Sequence, residues 1–350
     1  MRLGVVVFAA AALFLASTPG FADNAFDKEI GTDVDALVTK VDFDMSGWGK
    51  VQGMASGAGQ IPYLPALGHP PKRVALVSFY AYDPGNTHGF GSPYFGGRSE
   101  STRQLTPDGA GLVATMMHDQ GIAALKAALK AYGMELLTPD EFLDTDARRE
   151  FYDGFVLQLG WGTKFGKATE GSGKENKLSK AQRLSVVAPG YRLFRLVYGE
   201  NLRPMRQGDK KISKSLGYDL AKGLGVDATL VVCNYCKATK KAGNLEGVYF
   251  YLFGPNGIPG DMEAFTYWPG HLYAGLRLDG LDIPMVEFGK AEKKSTTYTT
   301  SPMSPGDFRS DSLSEAGIVS ADFAGYERIL EALGKKAGAF MQERTTKAGE

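Results

Sequence analysis

Arg73-Val74-Ala75-Leu76-Val77-Ser78-Phe79-Tyr80 is the stretch that decides the fold. It is apolar at almost every position, which is typical of a strand buried on both faces of a sheet. Apolar periodicity predicts helices over 112–132, 141–152, 212–224 and 321–342, and strands over 134–137, 228–232, 247–253, 271–278 and 283–288. This order of elements predicts an α/β fold with a mixed sheet, flanking helices and long aromatic, Gly-rich loops.

The amino terminus has the three parts of a cleavable signal peptide. Arg2 supplies the positive charge, residues 3–16 are apolar, and Ala22 ends a short stretch of the kind that is cleaved. The apolar run is too short to cross a bilayer, which takes about 20 residues. We therefore expect cleavage after residue 22, a periplasmic or secreted mature protein, and no transmembrane span in the mature chain.

The rest of the chain divides into three regions by composition. Residues 23–72 read as an amino-terminal arm and linker, and 73–290 as an α/β domain with a basic Gly/Lys-rich insertion near 160–180. Residues 291–350 read as a Ser/Thr/Pro loop followed by a carboxy-terminal helix. Long loops are expected over 81–111 and 295–311, where glycine, serine, threonine and proline interrupt any apolar pattern.

Charge is balanced overall but uneven along the chain. The 39 Lys and Arg equal the 39 Asp and Glu, so the net charge indicates no nucleic-acid partner. Between 164 and 214 basic residues predominate. The candidates for contact with an anionic envelope surface are Lys164, Lys167, Lys174 and Lys177. An ordinary solvated loop is the alternative.

Motifs for a cofactor or a metal ion do not fit their required context. Residues 223–228 carry the letters of a dinucleotide fingerprint, but a predicted helix precedes them and a predicted strand follows, the reverse of what phosphate binding needs. Gly223 and Gly225 are better explained as a helix end. The four histidines show no paired spacing, so we predict neither a metal site nor a cofactor.

Aromatic residues crowd two of the predicted loops. Rings with polar tips suit the recognition of glycans, peptides or partner surfaces. The candidate ligand-binding residues are Tyr80, Tyr82, His88, Tyr94, Tyr267, Trp268 and His271. The alternative is that most of these rings fill the core.

Cys233 and Cys236 are the only cysteines. In an oxidising compartment two nearby thiols are expected to pair, which makes them a disulfide candidate. Residues three apart in an extended strand lie about 10 Å apart, so a bridge requires the strand to end or bulge between them. Free buried thiols, and redox or metal chemistry, stay open as alternatives.

The motifs Val74-Ala75-Leu76-Val77-Ser78-Phe79, Gly133 to Thr138 and Leu220 to Ala228 resemble the small α/β domain of envelope proteins. The similarity is to the CsgG-like curli-secretion proteins and to the amino-terminal domain of TolB. It implies an interaction or assembly domain without catalytic residues. We therefore expect a non-enzymatic secreted or periplasmic envelope protein that binds or assembles with another envelope component, either a protein or an anionic surface.

A second class of function stays open. A hydrolase or sugar-modifying enzyme could have its site in the aromatic loops and use a carboxylate such as Asp83 or Glu263. A carboxyl with a perturbed pKa at the bottom of a pocket flanked by those rings would favour the enzyme.

Overall fold

The computed structural model of the chain describes residues 25–43, 67–91, 98–157, 184–196, 210–255, 271–289, 292–301, 304–315 and 318–346. Twelve strands are present in these residues: β1 (Asp42–Phe43), β2 (Arg73–Asp83), β3 (Asn86–Gly91), β4 (Arg98–Arg103), β5 (Glu135–Leu137), β6 (Leu184–Val187), β7 (Ala228–Ala238), β8 (Ala242–Phe253), β9 (Leu272–Phe288), β10 (Glu292–Ser301), β11 (Ser304–Glu315) and β12 (Ile318–Ala321).

Eight of the strands form a mixed central sheet in the order β1-β9-β8-β7-β2-β5, with β12 added to β9 and β6 added to β2. Strand β2 runs parallel to both β5 and β7, and all the other pairs are antiparallel. The remaining four strands form a second, smaller sheet in the order β10-β11-β4-β3. We call this second sheet the polar sheet, because its strands are mostly serine, threonine and charged residues.

The helices cover both faces of the central sheet. They are α1 (Ala25–Ile30), α2 (Val34–Lys40), α3 (Pro107–Lys130), α4 (Pro139–Phe142), α5 (Asp146–Gly154), α6 and α7 (Tyr326–Thr346). Helix α6 is continuous through Lys210–Lys214, a π-helical turn at Ser215–Leu220, and Ala221–Leu224. At that turn the carbonyl oxygen of Leu216 accepts a hydrogen bond from Thr229 Oγ1 at 3.1 Å, outside the helical ladder.

Two separate cores result from this arrangement. One core lies between the sheet and α1, α2, α3 and α7, and it includes Leu76, Phe79 and Leu230. The other lies between the sheet and α4, α5 and α6, and it includes Val77 and Tyr80. Because side chains alternate along a strand, β2 supplies both cores. It is buried at every position after Arg73, as its apolar sequence predicts.

The predicted fold class is confirmed: the structure is an α/β protein with a mixed sheet and flanking helices. The end of α6 is a glycine C-cap, with Gly225 at a φ of 66° in the left-handed region. Two expectations were wrong. The loops predicted over 81–111 and 295–311 contain β3, β4, β10 and β11, and the helix predicted over 141–152 is divided into α4 and α5.

None of the helices in the described residues combines the length and the apolar character that crossing a bilayer requires.

The long helices α3 and α7 approach each other closely because glycine lies at their contact. A β-carbon added to Gly334 would be 2.8 Å from Ala128 Cβ and 3.1 Å from Leu125 Cδ1. On α3, a β-carbon at Gly121 would meet Leu330 Cδ1 at 2.6 Å. The contact therefore has no room for larger residues at these positions, and it fixes the spacing of the two helices above the sheet.

Replacing Gly334 by alanine should destabilise the protein, although alanine is the better helix former by about 1 kcal/mol. The added methyl overpacks a contact whose neighbour is itself a short, rigid β-carbon, which costs about 1–3 kcal/mol. Urea denaturation of the purified protein measures the change in the free energy of unfolding. The matched control is Gly154→Ala, where no atom lies within 4 Å of the new β-carbon. Equal stability of the two variants would contradict the close contact.

Candidate functional site

The carboxyl ends of β2 and β7 lie side by side at one end of the central sheet. Tyr80 pairs with Cys233, Ala81 with Asn234, and Tyr82 with Tyr235. We call residues 80–83 and 233–236 the carboxyl-end cluster. Ligands of open α/β sheets bind beyond the carboxyl ends of parallel strands, so a ligand site in this fold is expected at this cluster.

One face of the cluster is aromatic. The rings of Tyr82 and Tyr235 are 6.2 Å apart and tilted by 31°, and Arg195 Cζ lies 5.1 Å from the Tyr82 ring centre. The hydroxyl of Tyr80 accepts a hydrogen bond from the Leu196 amide at 3.2 Å. Tyr80 and Tyr82 are both completely buried. The structure therefore brings these two predicted residues together, but as part of the core rather than as an open recognition surface.

The other predicted aromatic residues are not brought to this cluster. His271 lies just before β9, near the amino end of β7, where its amide donates to Ser213 Oγ at 2.8 Å and its ring is 5.8 Å from that of Tyr218. His88 lies on β3, where only the backbone is described. Three of the predicted aromatic residues and all four predicted surface lysines lie outside the described residues: Tyr94, Tyr267, Trp268, Lys164, Lys167, Lys174 and Lys177.

The opposite face of the cluster contains a buried carboxyl group. Asp83 is 1% exposed, and each of its two oxygens accepts a backbone hydrogen bond: Oδ1 from the Gly85 amide at 2.8 Å and Oδ2 from the Leu105 amide at 2.7 Å. Burial raises the pKa of Asp83 to about 6, against the opposing effect of these two hydrogen bonds. Its carboxyl therefore changes charge in the mildly acidic range.

Asp83 does not form the pocket that an enzyme of the predicted kind requires. It lies on the face of β2 opposite to Tyr80 and Tyr82, because successive side chains of a strand point to opposite sides. Both of its oxygens hold backbone amides that bracket the β3–β4 hairpin. This geometry is that of a structural anchor. Glu263, the other carboxylate considered, lies outside the described residues.

Asn234 joins the cluster to the carboxy-terminal helix. Its Oδ1 accepts a hydrogen bond from the Tyr326 hydroxyl at 2.6 Å, and its Nδ2 donates to the Tyr80 carbonyl at 3.3 Å. All three residues are buried. Sequence reasoning missed this contact, since the partners are separated by 92 positions and no local pattern connects them.

The two cysteines are free thiols, so the disulfide candidate is not formed. The pairing of β7 with β8 shifts register opposite Tyr235 and Cys236, but the extra residue is Glu246 on β8, so β7 lacks the bulge that a bridge would require. The two sulfurs lie on opposite faces of the sheet, because Cys233 packs in the core beneath α4–α6 and Cys236 in the core beneath α3 and α7. Burial raises the pKa of Cys233 to about 12 and that of Cys236 well above its ordinary value.

The described side chains include no group of three or more His, Cys, Asp or Glu that could hold a metal ion.

The polar sheet begins directly at the carboxyl-end cluster. Strand β2 ends at Asp83, the β3–β4 hairpin follows, and the chain returns to the core at Leu105. The β10–β11 hairpin joins it from the far end of the chain through parallel pairing of β11 with β4, from Arg309 opposite Arg98 to Ser314 opposite Arg103. Within the described residues β3 and β10 each pair with one neighbour, so each has one free edge.

No protein-family model, curated protein or solved structure matches this chain significantly. The resemblance to the CsgG-like and TolB domains therefore stays a prediction from the sequence.

Both thiols should be inert in the native protein and reactive after unfolding. With a pKa of about 12, only about one Cys233 thiol in 10,000 is ionised at pH 8, and burial denies access to the reagent as well. Maleimide labelling followed by intact-mass measurement should find no adduct in buffer and two adducts in guanidinium chloride, without any reductant. A native mass 2 Da lower, resistant to labelling in denaturant, would instead show a disulfide.

Proposed function

We propose that this chain is a non-enzymatic secreted or periplasmic envelope protein that binds or assembles with another envelope component through the polar sheet. The observation that carries the proposal is that, among the residues the structure describes, β3 and β10 each leave one edge unpaired. A strand at a sheet edge presents backbone N–H and C=O groups that pair readily with an added strand. The α/β core serves as the scaffold that holds this sheet.

The composition of the edge strand β10 supports strand addition. Serine or threonine occupies residues 295–297 and 299–301, and threonine favours extended backbone. Main-chain hydrogen bonds supply the affinity in this mode of binding, so no deep pocket is needed. The two hairpins also come from distant parts of the chain and form one continuous sheet, which widens the surface available to a partner.

The carboxyl-end cluster supports a binding role without a chemical reaction. The polar groups there are engaged in holding the structure: Asp83 with two backbone amides, Asn234 with Tyr326, and Tyr80 with the Leu196 amide. The location outside the cytoplasm is supported by the tripartite amino terminus ending at Ala22.

Photo-crosslinking from the free edges tests the proposal. A photoreactive phenylalanine replaces Thr297 in β10 or Thr87 in β3 of the full chain, and the envelope fraction is irradiated. We expect a discrete higher-mass adduct from at least one of the two positions, because an added strand lies within about 5 Å of its neighbour. The control position is Glu150, which is exposed and lies on helix α5, outside both sheets. No adduct at either edge, or the same adducts from Glu150, would refute edge binding.

A lysine on the edge strand should reduce the adduct severalfold. Thr299→Lys places a charge on β10, and edge lysines oppose the approach of another strand. The matched variant Ser312→Lys places the same charge on the inner strand β11 and should leave the adduct yield unchanged. Equal loss in both variants would indicate a general charge effect rather than strand addition.

The anionic-surface part of the proposal concerns the four lysines at 164, 167, 174 and 177. Replacing all four by glutamine should weaken binding to phosphatidylglycerol vesicles, and binding of the unaltered protein should decline from 0.1 to 1 M salt as the Debye length falls from about 10 to about 3 Å. Cosedimentation measures both effects. The control replaces Lys28, Lys40, Lys130 and Lys240, which are exposed elsewhere. Unchanged binding by the first variant would leave this segment as an ordinary loop.

A further inference from the structure

The backbone pairing of β8 with its neighbours is interrupted at Glu246. This residue has no directly paired partner on β7, and on β9 it lies opposite three residues, 280–282. Gly280 accommodates the irregularity with a φ of 76°, in the left-handed region. Bulges of this kind redirect side chains, and they are frequent beside functional sites.

Four polar side chains gather on one face of this bulge. Asn244 and Lys237 are paired directly across β8 and β7, which places them on the same face of the sheet. Lys237 Nζ lies 3.7 Å from Glu246 Oε1, and Asn244 Nδ2 donates a hydrogen bond to Asp282 Oδ1. We call Lys237, Asn244, Glu246 and Asp282 the bulge cluster.

The bulge cluster has an excess of negative charge, because two carboxylates face one lysine. Burial raises the pKa of Glu246, and the charge of Asp282 adds to that rise, while Lys237 opposes it. Asp282 is exposed, so the cluster can be reached from the solvent.

One oxygen atom of the bulge cluster is buried without a hydrogen bond. Asn244 is 8% exposed, and its Oδ1 has no partner among the residues that the structure describes. An ionised carboxylate only accepts hydrogen bonds, so Asp282 fixes the amide with Nδ2 toward itself and Oδ1 turned away. Oδ1 therefore lies on the face that Asn244 shares with Lys237 and Glu246. A buried acceptor without a partner is costly, and a bound cation removes that cost.

We propose that the bulge cluster binds a divalent cation of the Ca²⁺ class, with oxygen atoms of Glu246, Asp282 and Asn244 as its protein ligands. Carboxylate and amide oxygens are the ligands that Ca²⁺ prefers, whereas zinc and copper favour imidazole and thiolate groups, which the cluster does not contain. The cation takes the place of the Lys237 ammonium beside Glu246. The inference goes beyond the proposed function, since this cluster belongs to the central sheet and not to the polar sheet.

Binding at this place joins two strands and is expected to be weak. Glu246 and Asn244 lie on β8 and Asp282 lies on β9, so the cation connects the strands where their backbone pairing is interrupted. Ca²⁺ takes about six to eight oxygen ligands, and backbone carbonyls or water supply those that the three side chains do not. With only two carboxylates, we expect a Kd of about 10⁻⁴ to 10⁻³ M, the range of extracellular Ca²⁺ modules.

Equilibrium dialysis of radioactive Ca²⁺ against the full-length, chelator-treated protein measures the site. We expect saturable binding in the stated range, and binding of Mg²⁺ about tenfold weaker, because Mg²⁺ demands a more rigid geometry and loses water reluctantly. Glu246→Gln removes a charged ligand and should weaken Ca²⁺ binding about tenfold. The matched Glu287→Gln removes the same charge from an exposed position of β9 outside the cluster and should leave the affinity unchanged.

The variant Asn244→Asp separates a ligand from a merely structural residue. It keeps the shape of the side chain but adds a third carboxylate beside Asp282. We expect lower stability without Ca²⁺, about tenfold tighter Ca²⁺ binding, and recovery of stability in excess Ca²⁺, because a ligand of the native state opposes unfolding. Urea denaturation with and without Ca²⁺ measures the change. Loss of stability without recovery is the outcome expected of a structural Asn244, and it would overturn the proposal.

The variant Lys237→Gln removes the ammonium that competes with the cation for Glu246. It should tighten Ca²⁺ binding severalfold. The matched Lys240→Gln removes the same charge from an exposed position in the turn between β7 and β8 and should not. Since the Lys237 side chain is 40% exposed, this variant is expected to fold even if those at Glu246 and Asn244 do not.

Four results count against the site: no Ca²⁺ binding to the unaltered protein at millimolar concentrations, equal affinity for Mg²⁺, equal affinities of Glu246→Gln and Glu287→Gln, or unchanged or weaker binding by Lys237→Gln. The last decides the question alone where the other variants fail to fold.

Discussion

The pairing of β2 with its neighbours on both sides is the constraint from which the rest of the structure follows. Its amino half pairs with β5, its carboxyl half pairs with β6, and β7 runs parallel along the whole length of its other side. A strand with partners on both edges and helices over both faces has no surface left for water, so its sequence must be apolar almost throughout. Val74–Tyr82 meet that demand, and they divide their side chains between two cores.

The alternation along β2 gives its carboxyl end two chemically different faces. Tyr80 and Tyr82 fill the core under α4–α6, where hydroxyl groups find partners at the rim. Asp83 faces the opposite side with Asn234 and Cys236, beneath α3 and α7. Polar groups are costly to bury without hydrogen-bond partners. Here both carboxyl oxygens of Asp83 and the amide oxygen of Asn234 each accept a hydrogen bond. This end of the sheet is thus where the fold joins its apolar interior to the polar sheet.

Local sequence patterns predicted β2, β5, β7 and β8, and β9 as two strands, because the signals of these strands are local, whereas the short strands β1, β6 and β12 were not predicted. The apolar run of β2 and the glycine end of α6 are each decided within a few residues. The polar sheet was predicted as loop because strand prediction depends on one apolar face, and the alternation of Ser, Thr and charged residues in β10 and β4 offers none. Asp83 and Asn234 were not recognised as anchors, since their partners lie 22 and 92 residues away along the chain.

The parallel pairing of β4 with β11 has a consequence for the order in which the molecule is made. The two strands are joined across about two hundred residues of intervening chain, and contacts of such long range form late, because the entropy of closing the loop must be met first. As the chain emerges from a ribosome or a translocation channel, the β3–β4 hairpin is complete long before the β10–β11 hairpin exists. During that interval β4 has an open side that the finished protein covers, and whatever meets the nascent chain then encounters a different sheet edge from the one that the mature molecule presents.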